Sequence, residues 1–356
     1  MNTMTKVASV RISQSLRAVV RDLTRIGPHN NAHAPAIRLG ISTLAPALLL
    51  LSLGRDDLIP YALLASTVAV YGRASNRWSR VRMQAQAASA IVLAITLGAI
   101  VAGAPSWVLV CGAAMTAGVT TLLSDRLRWA PGGALFPTFS FGVASSISGA
   151  DIGTIVITAV LAAAFALSMA AVASARNPSG NAHVPASPTP SSRVSITHAT
   201  VCMVGGLLSG LLAVMLGFPN PYWAVVAAVV PIVGMYSAAQ LLRAVHRLVG
   251  TAVGLLIALV LSAFSLSPIA TLLVIAALLV GTELVIARNY SLAMLFVTPA
   301  IIEMSLLGVE RYPVAELLQA RLWETIMGVC IATLLVGATH RVRHPRGSSD
   351  SRRRGS

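Results

Sequence analysis

The run PIATLLVIAALLVGTELVIA, residues 268–287, carries one charged side chain, Glu283, in twenty consecutive positions. A helix of about 20 apolar residues rises roughly 30 Å, the hydrocarbon thickness of a bilayer, and satisfies its backbone polar groups internally. Ser265-Leu266-Ser267 breaks the chain before it, and Arg288 stands just after it. Working outward, similar runs occupy 290–307 and 321–340 on one side. On the other lie 37–53, 58–72, 84–103, 106–123, 133–149, 152–174, 196–217, 221–237 and 248–265. Gly103-Ala104-Pro105 and Gly217-Phe218-Pro219-Asn220-Pro221 read as tight turns between antiparallel neighbours. The expected fold is all-α, a polytopic transmembrane helical bundle of about twelve spans.

Composition points the same way. Of 356 residues, 56% are hydrophobic and 10% charged, against about 25% charged in soluble domains. The net charge of +15 is spread between apolar runs rather than gathered on one face, which argues against nucleic acid as a partner. Lys6 is the only lysine, so no P-loop can form. Cys111, Cys202 and Cys330 sit inside apolar runs at no metal or redox spacing and read as small buried hydrophobes. The histidines include no His-x-x-x-His pair. Neither a metal, a cofactor nor an enzymatic site is expected.

Charge also orients the spans. With twelve of them, every basic residue except Arg55, Arg311 and Arg321 falls on one side. Short loops rich in arginine mark the cytoplasmic face, so both termini are expected there, with the chain in the plasma (inner) membrane. A miscounted span would scramble that segregation. Before the first span, Lys6 to Ile26 places Val7, Val10, Leu16, Val19, Val20 and Leu23 at helical spacing, with arginines on another stripe. It reads as a basic amphipathic helix on the membrane surface, or else as a basic arm without structure.

A Pro/Ser-rich stretch, 177–192, divides the spans into two sets of six. The sets echo one another at an offset of about 161 residues: Pro60-Tyr61 answers Pro221-Tyr222, Arg82 answers Arg243, and Trp129 answers Tyr290. Six is even, so both sets cross in the same sense, as two parallel six-helix repeats. The expected organisation is a basic segment 1–35, a membrane half 36–175, a cytoplasmic linker 176–195, a second half 196–340 and a basic tail 341–356.

The second half carries four motifs in order. Pro221-Tyr222-Trp223-Ala224 opens a span. Arg243, His246 and Arg247 then precede Gly250-Thr251-Ala-Val-Gly254, followed by Asn289-Tyr290 through Thr298-Pro299 and by Arg321-Leu-Trp323-Glu324-Thr325-Ile-Met-Gly328. Together they resemble the fusaric acid resistance family, also called the aromatic acid exporter family. The resemblance is clear over 220–330 and fainter over 36–150. It implies export of aromatic or other organic acids driven by the proton gradient. Plant malate channels resemble the same family and use a dimer of six-helix units, so the resemblance implies a fused version of that dimer here; a homo-oligomer stays open. Many bacterial members carry a large cytoplasmic domain between or after the membrane halves; the linker here is about 20 residues, so a partner-binding or regulatory role of such a domain does not carry over from the resemblance.

Read as residues, Gly250, Gly254 and Gly328 have the small side chains that let membrane helices approach closely. Arg243, His246 and Arg247 stand at the predicted cytoplasmic mouth, either as orientation charges or as collectors of organic anions, since arginine offers a planar fork to a carboxylate. Thr251, Tyr290, Thr298 and Arg321 complete the candidate anion pathway. Glu303 and Glu324 lie inside spans, where ionisable groups pair, line water or serve transport. They are the candidates for proton coupling, with an Arg321–Glu324 pair as the structural alternative. Glu283 and Arg288 read as a structural pair. Tyr222, Trp223, Tyr290 and Trp323, near predicted span ends, read as interfacial anchors, with stacking against an aromatic substrate as the other use.

The partners implied are therefore the lipid bilayer, small organic anions and protons. A secondary exporter of organic acids is the first reading. A passive anion channel on the same scaffold and a non-transporting membrane scaffold are the alternatives.

Overall fold

The computed structural model describes residues 25–28, 32–72, 77–147, 149–176, 191–232, 237–307 and 313–343. The amphipathic segment before Arg25, most of the Pro/Ser linker and the tail beyond Arg343 lie outside the described residues. Twelve α-helices are present among the described residues, with no strand. They are α1 His33–Ser52, α2 Ile59–Ser66, α3 Arg77–Ile100, α4 Ser106–Leu127, α5 Leu135–Ser146 and α6 Ile152–Arg176. The second set comprises α7 Ser192–Met215, α8 Tyr222–Ile232, α9 Ser237–Ser262, α10 Pro268–Val285, α11 Tyr290–Leu307 and α12 Val314–Arg343.

Local chemistry starts and stops these helices where the apolar runs do. Ser191 and Ser267 cap α7 and α10, their hydroxyls accepting from the N–H groups of Val194 and Ala270. Proline stands at the first position of α10, where its missing N–H costs nothing. The chain leaves α1 through Gly54 at φ 66° and α7 through Gly217 at φ 74°. Those left-handed conformations are open to glycine without a Cβ penalty.

Nine of the helices are long and apolar enough to cross a bilayer. The other three are not: α2, α5 and α8 have 8, 12 and 11 residues. At about 1.5 Å per residue they rise only ~12–18 Å, about half the hydrocarbon thickness. The expected twelve segments are all helical among the described residues, nine of them long enough to span and three about half that length. A 3₁₀ turn, Thr67–Val70, extends α2 to a length close to that of α8.

Burial explains why the short helices hold. Every residue of α2 and of α8 is buried. The long helices instead turn apolar side chains outward: Leu49, Leu161, Leu256 and Leu334 are all well exposed. In water such a belt would be a liability, whereas against lipid it is the expected surface. Cys330 lies on this exposed surface and only Cys202 is buried, so the expectation of three buried cysteines is corrected. Helices that face lipid need length, and helices enclosed by other helices do not.

Pairings in the first set recur in the second. Helix α1 packs on α2 and α6, and α7 packs on α8 and α12. Helix α3 packs on α5 and α6, as α9 does on α11 and α12, and α4 meets α5 as α10 meets α11. The sets are joined by two crossed contacts, α4 against α7 and α1 against α10, and by α5 against α8 at the centre. One hydrophobic core, containing Tyr61, Tyr71, Ile91, Phe139, Tyr222, Trp223, Ile302 and Leu317, runs through both.

Candidate functional site

The half-length helix α8 ends the turn 216–221 and begins inside the bundle rather than at its surface. Its first residues, Tyr222 and Trp223, are 6% and 0% exposed. That overturns their reading as interfacial anchors; Trp323, at 47%, keeps the outward position such an anchor needs. The physical reason is the enclosure of α8 on every side. Tyr222 lies against Phe139 of α5 (ring centroids 6.3 Å apart) and edge-on to Trp223 at 5.8 Å.

Over the Trp223 ring sits the guanidinium of Arg321, its Cζ 4.8 Å from the ring centroid, a cation–π contact. Arg321 reaches it from α12 and is itself buried, with Nε and Nη1 lacking a hydrogen-bond partner. Arg247 of α9 lies within electrostatic reach of Arg321. Its Nη1 donates to the Tyr290 hydroxyl at 3.2 Å. Arg243, one turn earlier on α9 and half-buried, also interacts with Tyr290. The structure thus brings Arg243, Arg247 and Arg321 around one tyrosine at the start of α11. Arg247 is only 3% exposed, so it is no mouth residue but part of the interior.

Neither Arg247 nor Arg321 is salt-bridged to a carboxylate among the described residues. The Arg321–Glu324 alternative is therefore not realised as a hydrogen-bonded pair. Glu324 is fully buried, neither of its carboxyl oxygens has a hydrogen-bond partner, and it senses the Arg321 charge and the Asn220 backbone. Buried polar groups are nearly always satisfied, so such a concentration of unsatisfied ones is unusual. Glu303 stands apart, 4% exposed, lining a cavity with Ser262, Thr271 and Pro313. Arg288 donates from Nε to the Gly27 carbonyl at 3.0 Å, while Glu283 is buried.

The glycines place these groups. A Cβ on Gly250 would stand 2.5 Å from the Met294 Cβ and the Ser291 carbonyl; one on Gly254 would stand 2.7 Å from the Thr298 Cβ. Close approach of α9 to α11 is what brings Arg247 to Tyr290. The same approach lets the Ser291 N–H donate to His246 Nδ1 at 3.3 Å. Thr251 and Thr298 are buried along this seam, and the Thr298 hydroxyl has no partner. Gly328 does the same work between α12 and α8.

One end of the bundle opens above this cluster. Pro60, Ala104, Phe139, Asn220, Tyr222 and Leu317 line a cavity of about 260 Å³ shared by both sets. At the opposite end lie Arg38, Arg128, Arg243 and Arg288, the basic end of the molecule.

Sequence reading missed one ionisable pair entirely. His198 of α7 and Asp125 of α4 meet with Nδ1 to Oδ2 at 2.8 Å, though 73 residues apart. The available signal was that His198 stands in the apolar run 196–217 and Asp125 is an acid in the basic stretch just after 106–123.

No curated protein and no solved structure matches the chain. With nine helices able to cross a bilayer, the chain is a multi-pass membrane protein. Residues 207–335, the stretch from late α7 into α12 that builds the arginine cluster, match the family described as fusaric acid resistance protein-like.

Proposed function

We propose that this chain is a secondary transporter that exports small organic acids, aromatic ones among them, across the plasma membrane in exchange for protons. One observation carries the reading: Arg247 and Arg321 are buried together with no salt bridge to a carboxylate, beside Tyr290 and the face of Trp223, and Glu324 is the acid whose charge Arg321 senses. Two buried cations facing one acid leave a surplus positive charge, which costs several kcal/mol. That cost is offset when an anion occupies the site, and a carboxylate fits the guanidinium fork. An aromatic ring would find Trp223 and Tyr222 alongside. The match of this stretch to a fusaric acid resistance protein-like family supports the same cargo class.

Two parallel six-helix repeats supply the frame. The recurrence of the main pairings of the first set in the second, and the buried Pro-Tyr start of both α2 and α8, support a duplication. Parallel repeats place a shared pathway at their interface, which is where α5 meets α8. The basic end faces the cytoplasm in this reading, and the cavity at Asn220 opens outward.

Proteoliposomes test it. An inward proton gradient should drive efflux of salicylate, benzoate or fusaric acid against its own gradient. Flux that follows only the membrane potential after the pH gradient is collapsed would make the protein a channel. Glu324 is the better placed of the two coupling candidates, beneath the outer cavity and beside Arg321. Glu324→Gln should lower proton-driven flux by about tenfold or more while anion exchange at equal pH persists. Full coupling in both Glu303→Gln and Glu324→Gln would remove these carboxyls from the mechanism.

A further inference from the structure

We propose that the His198–Asp125 pair is a proton-binding site at the basic end of the bundle, and that its proton fastens the end of the half-length helix presenting Trp223 to Arg321. The geometry requires the proton. His198 Nδ1 faces Asp125 Oδ2 at 2.8 Å and Nε2 faces the Ile232 carbonyl at 3.1 Å, the last described residue of α8. A backbone carbonyl only accepts, so Nε2 must carry a hydrogen to bond it. A neutral ring protonated there turns the Nδ1 lone pair toward the carboxylate, which repels it unless one more proton lies between them. Whether that proton rests on nitrogen or oxygen, the pair holds it. Without it one of the two contacts must break.

The surroundings leave few other charges to do this work. His198 is 7% exposed. Among the described residues, Cys202, fully buried on the next turn of α7, is the other titratable group that faces it. From α8 comes the Ile232 carbonyl, and from the described part of α12 the apolar Ala332 and Val336. Arg126 and Arg128 neighbour Asp125 in sequence but are exposed.

A comparison within the molecule gives the pair its meaning. At the corresponding place in the first set, Arg38 of α1 donates from Nη2 to the Ala69 carbonyl at 2.9 Å, in the 3₁₀ turn ending α2. Two of the three half-length helices, α2 with its 3₁₀ turn and α8, thus have a basic side chain on a carbonyl near their last described residues, where a cation is favoured. In the first set the cation is permanent. In the second it is titratable and paired with a carboxylate. Only the second fastening can be undone by losing a proton, and only the second holds a helix that touches Arg321 through its aromatic residue.

The proton site stands on geometry; its coupling to transport rests on the transporter reading above. Two measurements keep these separate. ¹⁵N-histidine spectra of the full-length protein in nanodiscs, with His198 assigned by its loss in His198→Gln, should show at about pH 7.5 a ring sharing the extra proton with Asp125. In Asp125→Asn the same ring should become neutral at that pH. A wild-type His198 in the simple neutral form at that pH would overturn the proposal, whether or not the protein carries any organic acid. In proteoliposomes, His198→Gln should flatten the dependence of salicylate flux on the pH of the basic side, with exchange at equal pH kept within about threefold. His198→Arg copies Arg38 and should hold flux about tenfold low at every pH. Wild-type pH profiles in both variants would overturn the coupling.

Discussion

Arg321→Gln should lower organic-anion flux by about 100-fold or more, equivalent to about 2.7 kcal/mol, the scale of a lost charge-assisted hydrogen-bond pair. The same substitution should leave the melting temperature in detergent unchanged or raised. The two expectations come from one fact: Arg321 is buried, unsalted and short of hydrogen-bond partners. Its charge opposes folding, and the proposed transport of an anion gives the reason to retain it. A structural arginine would behave in the opposite way, losing stability and transport together. Arg321→Lys divides the role further. It keeps the charge but not the planar fork, so weak binding with the selectivity for carboxylates reduced is expected. Scintillation proximity binding of salicylate, run beside thermal unfolding, reads both quantities on the same sample. A variant that binds normally would remove Arg321 from the site.

The second large effect is structural. A Cβ on Gly328 would lie 2.6 Å from the Ala224 carbonyl oxygen, 2.6 Å from the Ala227 Cβ and 2.7 Å from the Ala228 nitrogen. Two of those three atoms are backbone of α8, which is enclosed on all sides and cannot retreat. Gly328→Val should therefore cost about 3 kcal/mol or more, the upper range for overpacking. Loss of the monodisperse peak in detergent chromatography would record it. Gly337, nine positions on in the same helix, has nothing within 4 Å of its Cβ position. Gly337→Ala should be neutral or slightly stabilising, because alanine is the better helix former. Equal behaviour of the two variants would mean that the α12–α8 contact does not hold the fold.

The helical class and nearly every element were legible from apolar runs and their breaks. The predicted 290–307 coincides with α11, and 268–287 exceeds α10 by one turn at most. Proline and glycine punctuate the chain at those places, and hydropathy alone suffices between them. Length misled at 58–72, 133–149 and 221–237. These windows look like the others because a helix buried in protein and one buried in lipid are equally apolar. Only three-dimensional enclosure tells them apart, and it also moved Tyr222 and Trp223 from the interface to the interior. The small residues of Gly250-Thr-Ala-Val-Gly254 did reveal a close helix approach, since that requirement is local in sequence. What Arg247 meets across the seam was not local, and neither was the union of Asp125 with His198.

The half-length helices bear on how the protein is made. A segment of eleven or twelve residues cannot hold itself across a bilayer, and one of 10–14 apolar residues belongs to a core or re-entrant segment rather than a span. During synthesis, α2, α5 and α8 can therefore settle only once partner helices enclose them. For α8 those partners include α12, which follows it in the chain. The residues around Trp223 wait, at the edge of the lipid, for a helix about ninety positions downstream. Closure of the pocket around Trp223 and Arg321 is thereby tied to the arrival of α12, and a product truncated before that helix would be left without it.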